Sequence, residues 1–320
     1  MTPQSRERIH LATVGVCAAA TFLGNSSGRI VAIYENSVTV DLFGGRFMCI
    51  CAAGIGDGPI NAICSDALRG SWASKGFAVG QSVEIVRGAM HVAAGPIIDA
   101  MTADVWKHPP WPLDWTAATL QASLQALDDV VAGRVPSDGL ARVALADWEP
   151  AGPSSLNGAM LRAALNRTAT ISHWLAAPPN SRTSHDAAAR AAVHRLIGLG
   201  PGLTPSGDDV MAGMLIALHA TGQRGRVEAL AGFVAKTPVG RTSPLSRVFL
   251  EVAGEGLPSA AMHAVIDSLL AHDVAALPEA VERLTGIGHT SGWDMLAGAV
   301  LGLRAVAADL RPPCPPAPRS

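Results

Sequence analysis

Gly198-Leu199-Gly200-Pro201-Gly202-Leu203-Thr204-Pro205-Ser206-Gly207-Asp208-Asp209 is the stretch from which the rest of this chain can be read. Three glycines and two prolines impose a tight loop. Small hydroxyls and two carboxylates follow, and then an apolar run from Val210 to Leu218. The pattern is a turn feeding a helix, with Thr204 expected as the N-cap and Pro205 as the first helical residue. Such a terminus presents unpaired backbone N–H groups and a partial positive charge, and so suits a phosphate or carboxylate. Gly207 is expected to let a ligand approach the backbone.

A second copy lies 85 residues on, at Gly288-His289-Thr290-Ser291-Gly292-Trp293-Asp294-Met295-Leu296-Ala297-Gly298. With Ser206 set on Ser291, Gly207 falls on Gly292, Asp209 on Asp294 and Gly213 on Gly298. Ala217 then falls on Gly302. Residues three and four apart share a helix face, so each copy carries a stripe of small side chains. Glycine inside a helix costs roughly 1 kcal/mol against alanine, so these glycines need a reason. The expectation is two equivalent helices, closely packed, with both Ser-Gly-x-Asp starts facing a common cavity.

Outward from these copies, helical periodicity covers most of the second half. Helices are expected over 116–132, 155–176, 184–197, 206–220, 226–235, 243–253, 259–271, 278–284 and 291–310. Pro244 follows Ser243 as a first helical residue. The first third reads differently. Runs over 29–34, 37–42, 46–52, 82–87 and 90–98 read as strands, with Glu35-Asn36 and Gly44-Gly45 as turns. Between the two patterns stands His108-Pro109-Pro110-Trp111-Pro112, which blocks both helix and ladder. The expected fold class is therefore α+β. A β-rich, barrel-like unit spans 1–107, a larger mainly helical unit spans 113–310, and a flexible proline-rich tail spans 311–320.

Composition narrows the classes. At 49% hydrophobic and 16% charged, the chain is not a disordered one. A net charge of −2 gives no argument for nucleic acid or an anionic membrane surface. Five cysteines with no CxxC pair point away from a disulfide framework or zinc finger and toward a reducing, cytoplasmic setting. Arg6 and Arg8 before the apolar run 11–23 imitate a signal peptide, without a clean cleavage site, and the run equally suits a core helix or strand.

Asp208, Asp209 and Asp294 are the candidate catalytic groups. Gly200, Gly202, Thr204, Ser206, Gly207, Thr290, Ser291 and Gly292 are the candidate anion-binding residues. Arg241-Thr242-Ser243 adds a cation beside hydroxyls at another helix start. Paired carboxylates repel an anion unless a divalent cation such as Mg2+ bridges them or a substrate amide donates to them. No cofactor is otherwise indicated. The same residues also suit plain capping, worth about 1 kcal/mol. Of the histidines, His289 lies inside the second copy, while His185 and His194 precede the first.

The unbroken run from Gly198 to Asp209 resembles a bacterial family once of unknown function and labelled as carboxylases. That family includes the AllH-type subunit of oxamate carbamoyltransferase. Gly28 to Leu42, Gly58-Pro59 and Arg241-Thr242-Ser243 add to the likeness, which runs from about Gly28 to Leu303. The resemblance implies a role in allantoin or purine-ureide breakdown. The reaction it implies moves a carbamoyl group from oxalurate to phosphate, giving oxamate and carbamoyl phosphate. The implied small ligands are phosphate, carbamoyl phosphate and oxamate. The implied assembly adds an acyl-CoA-synthetase-like subunit and a second large subunit. Two other functions stand beside it: a stand-alone carboxylase-like enzyme on another small acid, and a non-catalytic subunit whose small-residue helix faces dock a partner. No biotin-attachment or nucleotide-binding motif accompanies the former.

Overall fold

The computed structural model describes residues 6–67, 70–145, 156–177 and 185–310. The tail 311–320 and the expected helix starts at Ser155 and Ser184 lie outside the described residues. The chain divides into two compact units, Met1–Pro109 with Leu257–Ala261, and Pro110–Gly256 with Met262–Ser320.

The first unit is an eight-stranded barrel with one added strand. Its elements are β1 (Arg8–Gly15), α1 (Val16–Phe22), β2 (Ser26–Ile33), β3 (Ser37–Leu42), β4 (Arg46–Cys51), β5 (Asn61–Cys64), β6 (Ser82–Val86), β7 (Ala89–Val92), β8 (Ile97–Asp99) and β9 (Asp104–Trp106). The order is β5-β4-β3-β2-β6-β7-β8-β1, and pairing of β1 with β5 closes the ring. Closure removes the exposed sheet edges that would otherwise template aggregation. β9 extends β1 in parallel, with Val14 opposite Val105. Alternate residues turn inward, so Ile30, Val38, Val40, Met48, Ile50, Ile85 and Met90 fill the barrel. Trp72 and Phe77 join this core edge to face, with ring centroids 5.2 Å apart.

Two segments of this unit differ from the sequence expectation. The apolar run 11–23 is neither one helix nor one strand. Its β-branched first half is β1, and its alanine-rich second half is α1. Gly15 is the corner, because a Cβ there would stand 1.9 Å from the Gly58 carbonyl oxygen. The next carbonyl, of Pro59, accepts the Cys17 and Ala18 N–H groups and so caps α1. The run 90–98 also divides, at a turn over Ala93–Pro96, into β7 and β8.

The second unit is helical. It holds α2 (Ala117–Val131), α3 (Arg142–Leu145), α4 (Leu156–Ala176), α5 (Asp186–Leu196), α6 (Ser206–Ala220), α7 (Arg224–Ala235), α8 (Pro244–Gly254), α9 (Ala260–Leu270), α10 (Leu277–Thr285) and α11 (Ser291–Asp309). Thr116 and Thr119 form a reciprocal capping box on α2, and Ser243 caps α8 with Pro244 behind it. The short α3 has no counterpart in the sequence reading. α6 is the central helix, buried along nearly its whole length except at His219.

α6 and α11 form the innermost pair, and glycine sets their separation. A Cβ on Gly213 would lie 2.0 Å from the Met295 carbonyl oxygen. A Cβ on Gly298 would lie 1.9 Å from that of Val210. Gly213 and Gly298 are equivalent in the two copies, and so are Val210 and Met295. The contact is thus reciprocal, as in a twofold pairing of one element with its duplicate. The small-residue faces that could dock a partner are occupied by each other.

Candidate functional site

The close approach of α6 and α11 brings their N-terminal turns together. Thr204 Oγ1 and Ser291 Oγ are 3.1 Å apart, so the two loops touch. The hydroxyls cross between copies. Ser291 stands beside Asp209, and Ser206 stands beside Asp294. These pairs are again equivalent under the 85-residue offset.

Both carboxylates are deeply buried, Asp209 at 7% and Asp294 at 0% exposure. The Oδ2 atom of each completes no hydrogen bond among the described residues. Burial drives the Asp209 carboxyl well above the ordinary carboxylate range. The Asp294 and Asp208 charges add to this, against the Ser291 hydroxyl. Burial also raises Asp294, to about 6, against the Leu140 N–H, the Ser206 and Thr290 hydroxyls and the Ala141 N–H. The Leu140 N–H donates to Asp294 Oδ1 at 2.6 Å. Gly139, with φ +74°, admits this backbone, since a Cβ there would meet both Asp294 oxygens within 2.9 Å.

Asp208 faces elsewhere. Its Oδ1 accepts the Gly198 N–H at 2.6 Å, and its Oδ2 accepts the hydroxyls of Ser246, at 2.6 Å, and Thr242. Ser243 donates to the Leu203 carbonyl, and the Arg241 carbonyl lies where a Gly198 Cβ would be. Asp208 thus ties the glycine loop to the start of α8. The equivalent position in the second copy is Trp293, which is buried.

Several expected roles change with this geometry. Pro205, not Thr204, is the N-cap of α6. Its extended ψ of 139° starts the helix at Ser206 and turns the Thr204 hydroxyl to Ser291. Gly207 does not open the backbone to a ligand. A Cβ there would stand 2.0 Å from the Leu196 carbonyl oxygen, and its N–H donates to the Leu199 carbonyl at 2.8 Å. Gly292 repeats this, with Leu284 at 1.9 Å and its N–H on Ile287 at 3.1 Å. In each copy the glycine seats the helix on the end of the helix before it, which withdraws one first-turn donor from anion binding.

The other expected residues surround this centre. Gly200, φ +120°, packs on Ser206, and Gly202 sits at the exposed loop tip. The Arg241 side chain is exposed, and its Nε donates to the His194 carbonyl at 3.1 Å. Arg195 and Arg241 lie near Arg167, whose charge is disfavoured mainly by burial and then by these neighbours. His289 is at the surface, 3.5 Å from Asp138. Among the described residues, no three His, Cys, Asp or Glu side chains are grouped to hold a metal ion. The Asp208 oxygens are occupied, so among the three candidate carboxylates those of Asp209 and Asp294 remain for a bridging Mg2+. Among the described residues, no helix is long and apolar enough to cross a membrane.

Sequence reasoning missed Ser246 and the Leu140–Ala141 backbone. The Ser137-Asp138-Gly139 turn was the available signal, because its glycine is the residue that gives way to Asp294.

Residues 196–303 match the family model of oxamate carbamoyltransferase subunit AllH. The match begins at the last residue of α5 and takes in both helix starts, the Thr242–Ser246 clamp and most of α11. Over these residues, about a third of its length, the chain is similar to that subunit. No solved structure matches the chain.

Proposed function

We propose that this chain is a subunit of a carbamoyl-transferring enzyme of the oxamate carbamoyltransferase type, and that Asp209 and Asp294 form its polar reaction centre. The observation that carries this reading is the meeting of two buried carboxylates, each with an unused oxygen, inside the residues that match the family. A buried acid pair of this kind is unfavourable for folding, and such arrangements cluster at functional sites.

The reaction needs a proton to move. As a phosphate oxygen attacks the carbamoyl carbon of oxalurate, a C–O bond forms and the C–N bond to the oxamate nitrogen breaks. The leaving nitrogen takes up a proton, and the phosphate hydroxyl gives one up. Asp209, whose burial favours the protonated form, supplies the first proton. Asp294, whose carboxyl titrates nearer neutrality, receives the second. Transfer of that proton from Asp294 to Asp209 restores the pair. A protonated Asp209 also removes one negative charge from the path of a phosphate.

The test is turnover of the chain assembled with its partner subunits, with carbamoyl phosphate and oxamate as products. Asp209→Asn and Asp294→Asn should each lower kcat roughly a hundredfold or more, with assembly unchanged. Wild-type turnover in both variants would leave the chain a structural role.

A further inference from the structure

Cations gather without carboxylate partners where α5 ends. Arg167 Nη1, from α4, donates to the Arg195 carbonyl at 2.7 Å, and Arg241 Nε donates to the His194 carbonyl at 3.1 Å. Two guanidinium groups thus stand on successive carbonyls, beside the exposed side chain of Arg195 itself. The end of α7 adjoins them. His194 Nε2 lies 3.0 Å from the Phe233 carbonyl oxygen, and exposed Lys236 follows Phe233 by one turn. Capping of α5 accounts for the two carbonyl contacts. It uses one donor of each five-donor guanidinium and gives no role to the charges of Arg195 and Lys236. The ion pairs among the described residues involve none of these four cations. The segment 236–247 holds Lys236, Arg241 and Arg247 and no Asp or Glu. Asp208, which reaches this segment, is buried and spends its oxygens on Gly198, Thr242 and Ser246. Like charges held together disfavour the chain on its own, and an incoming anion relieves them. Two exposed apolar side chains border the same turn. Val239, two residues before Arg241, is 97% exposed, and Leu203, whose carbonyl accepts the Ser243 hydroxyl, is 47% exposed.

We infer that this face docks a partner subunit, and that the partner presents carboxylates set among aliphatic side chains. A small oxyanion would neutralise the guanidinium groups but leave Val239 and Leu203 in water. A protein surface covers both kinds of group at once. The guanidinium fork meets a carboxylate through two parallel hydrogen bonds, so Arg195 and the remaining donors of Arg167 and Arg241 fix the partner's orientation. The whole chain carries a net charge of −2, so the cationic face is a local feature and its field does not suit nucleic acid. Leu203 belongs to the glycine loop, and Asp208 ties that loop to Thr242 and Ser246. The partner therefore sits on the loop that leads into the Ser206 start of α6. This inference rests on the reading of the chain as a subunit and is independent of the roles given to Asp209 and Asp294.

The test uses the full chain with its partner subunits. Zero-length carbodiimide coupling of the wild-type assembly should join Lys236 to an Asp or Glu of the partner, as read by peptide mass mapping. Sedimentation should show assembly weakening as salt rises from about 0.05 to about 0.5 M. Arg195→Glu with Lys236→Glu should weaken assembly at least about a hundredfold at low salt, and Val239→Asp at least about tenfold. Thermal unfolding of each variant checks its fold, and the wild-type cross-link and salt dependence decide the matter should a variant not fold. Assembly unchanged in these variants, cross-links that fall only elsewhere, or a wild type that assembles with no partner overturns the inference. So does binding of inorganic phosphate or a DNA duplex that Arg195→Glu abolishes while assembly persists. Failed assembly in these variants with full turnover in Asp209→Asn would keep the docking face and discard the reaction centre. Intact assembly with turnover lost in Asp209→Asn would do the reverse.

Discussion

Replacing Gly298 by alanine tests how the two copies are held together. The new Cβ would stand 1.9 Å from the Val210 carbonyl oxygen and 2.7 Å from its carbon. Cβ atoms do not approach other atoms under 3.0 Å, so α6 and α11 must separate by at least about 1 Å. The obstacle is backbone within a buried helix, which no rotamer change relieves. Overpacking of this kind costs roughly 1–3 kcal/mol, and the reciprocal contact at Gly213 loosens with it. Helix propensity works the other way, by about 1 kcal/mol in favour of alanine. The net expectation is a loss of about 1 kcal/mol, within a range of roughly 0–2. Gly232→Ala in α7 is the control, because nothing lies within 4 Å of its Cβ position. It should gain roughly 0.5–1 kcal/mol. Urea titration reads the midpoints, and hydrogen exchange over 206–220 and 291–309 localises the change. If Gly298→Ala were as stable as Gly232→Ala, the close pairing of the two helices would be refuted.

Two other consequences concern the carboxylates. The Asp294 carboxyl stands at about 6 in the folded chain against 3.8 for an ordinary aspartate, so the folded state holds its proton more tightly. That stabilisation is complete below about pH 4 and is lost as the pH rises through about 6, a total on the order of 3 kcal/mol. Thermal unfolding from pH 4 to 8 should therefore fall more steeply for wild type than for Asp294→Asn, and parallel curves would contradict the assignment. Asp208→Ala removes the acceptor of the Gly198 N–H and the Thr242 and Ser246 hydroxyls, and each donor left unsatisfied costs about 1–3 kcal/mol. It should lower the unfolding midpoint and speed proteolytic cleavage at Pro201–Leu203, and an unchanged cleavage rate would show that Asp208 does not hold the loop.

Much of this architecture was legible because it rests on local pattern. Alternation in Ser37–Leu42 gives a strand, and the Gly44-Gly45 turn joins it to the short apolar run Arg46–Cys51. The small-residue stripes at Gly213 and Gly298 pointed to a close helix contact, with each other or with a partner, and the structure shows them against each other. What stayed illegible depends on long-range backbone contacts. Gly207 reads as a ligand opening until the loop, bent by the positive φ of Gly198, Gly200 and Gly202, folds back and places the helix start on the Leu196 carbonyl. The Leu140 N–H that meets Asp294 is a main-chain group 154 residues away and leaves no mark in residue type. The strand β9 is three residues long and owes its place to β1, not to its own pattern.

The central claim is that the two helix starts form one centre at Asp209 and Asp294 where the carbamoyl-bearing substrate binds. Its most direct test is an experimental structure of the chain, assembled with its partner subunits, in the presence of oxamate. The account predicts the amide nitrogen of oxamate within hydrogen-bonding distance of Asp209, beside Ser291, with the Leu140 N–H still on Asp294. Oxamate seated instead by its carboxylate on Arg167, Arg195 and Arg241, with no ligand at Asp209, would contradict it.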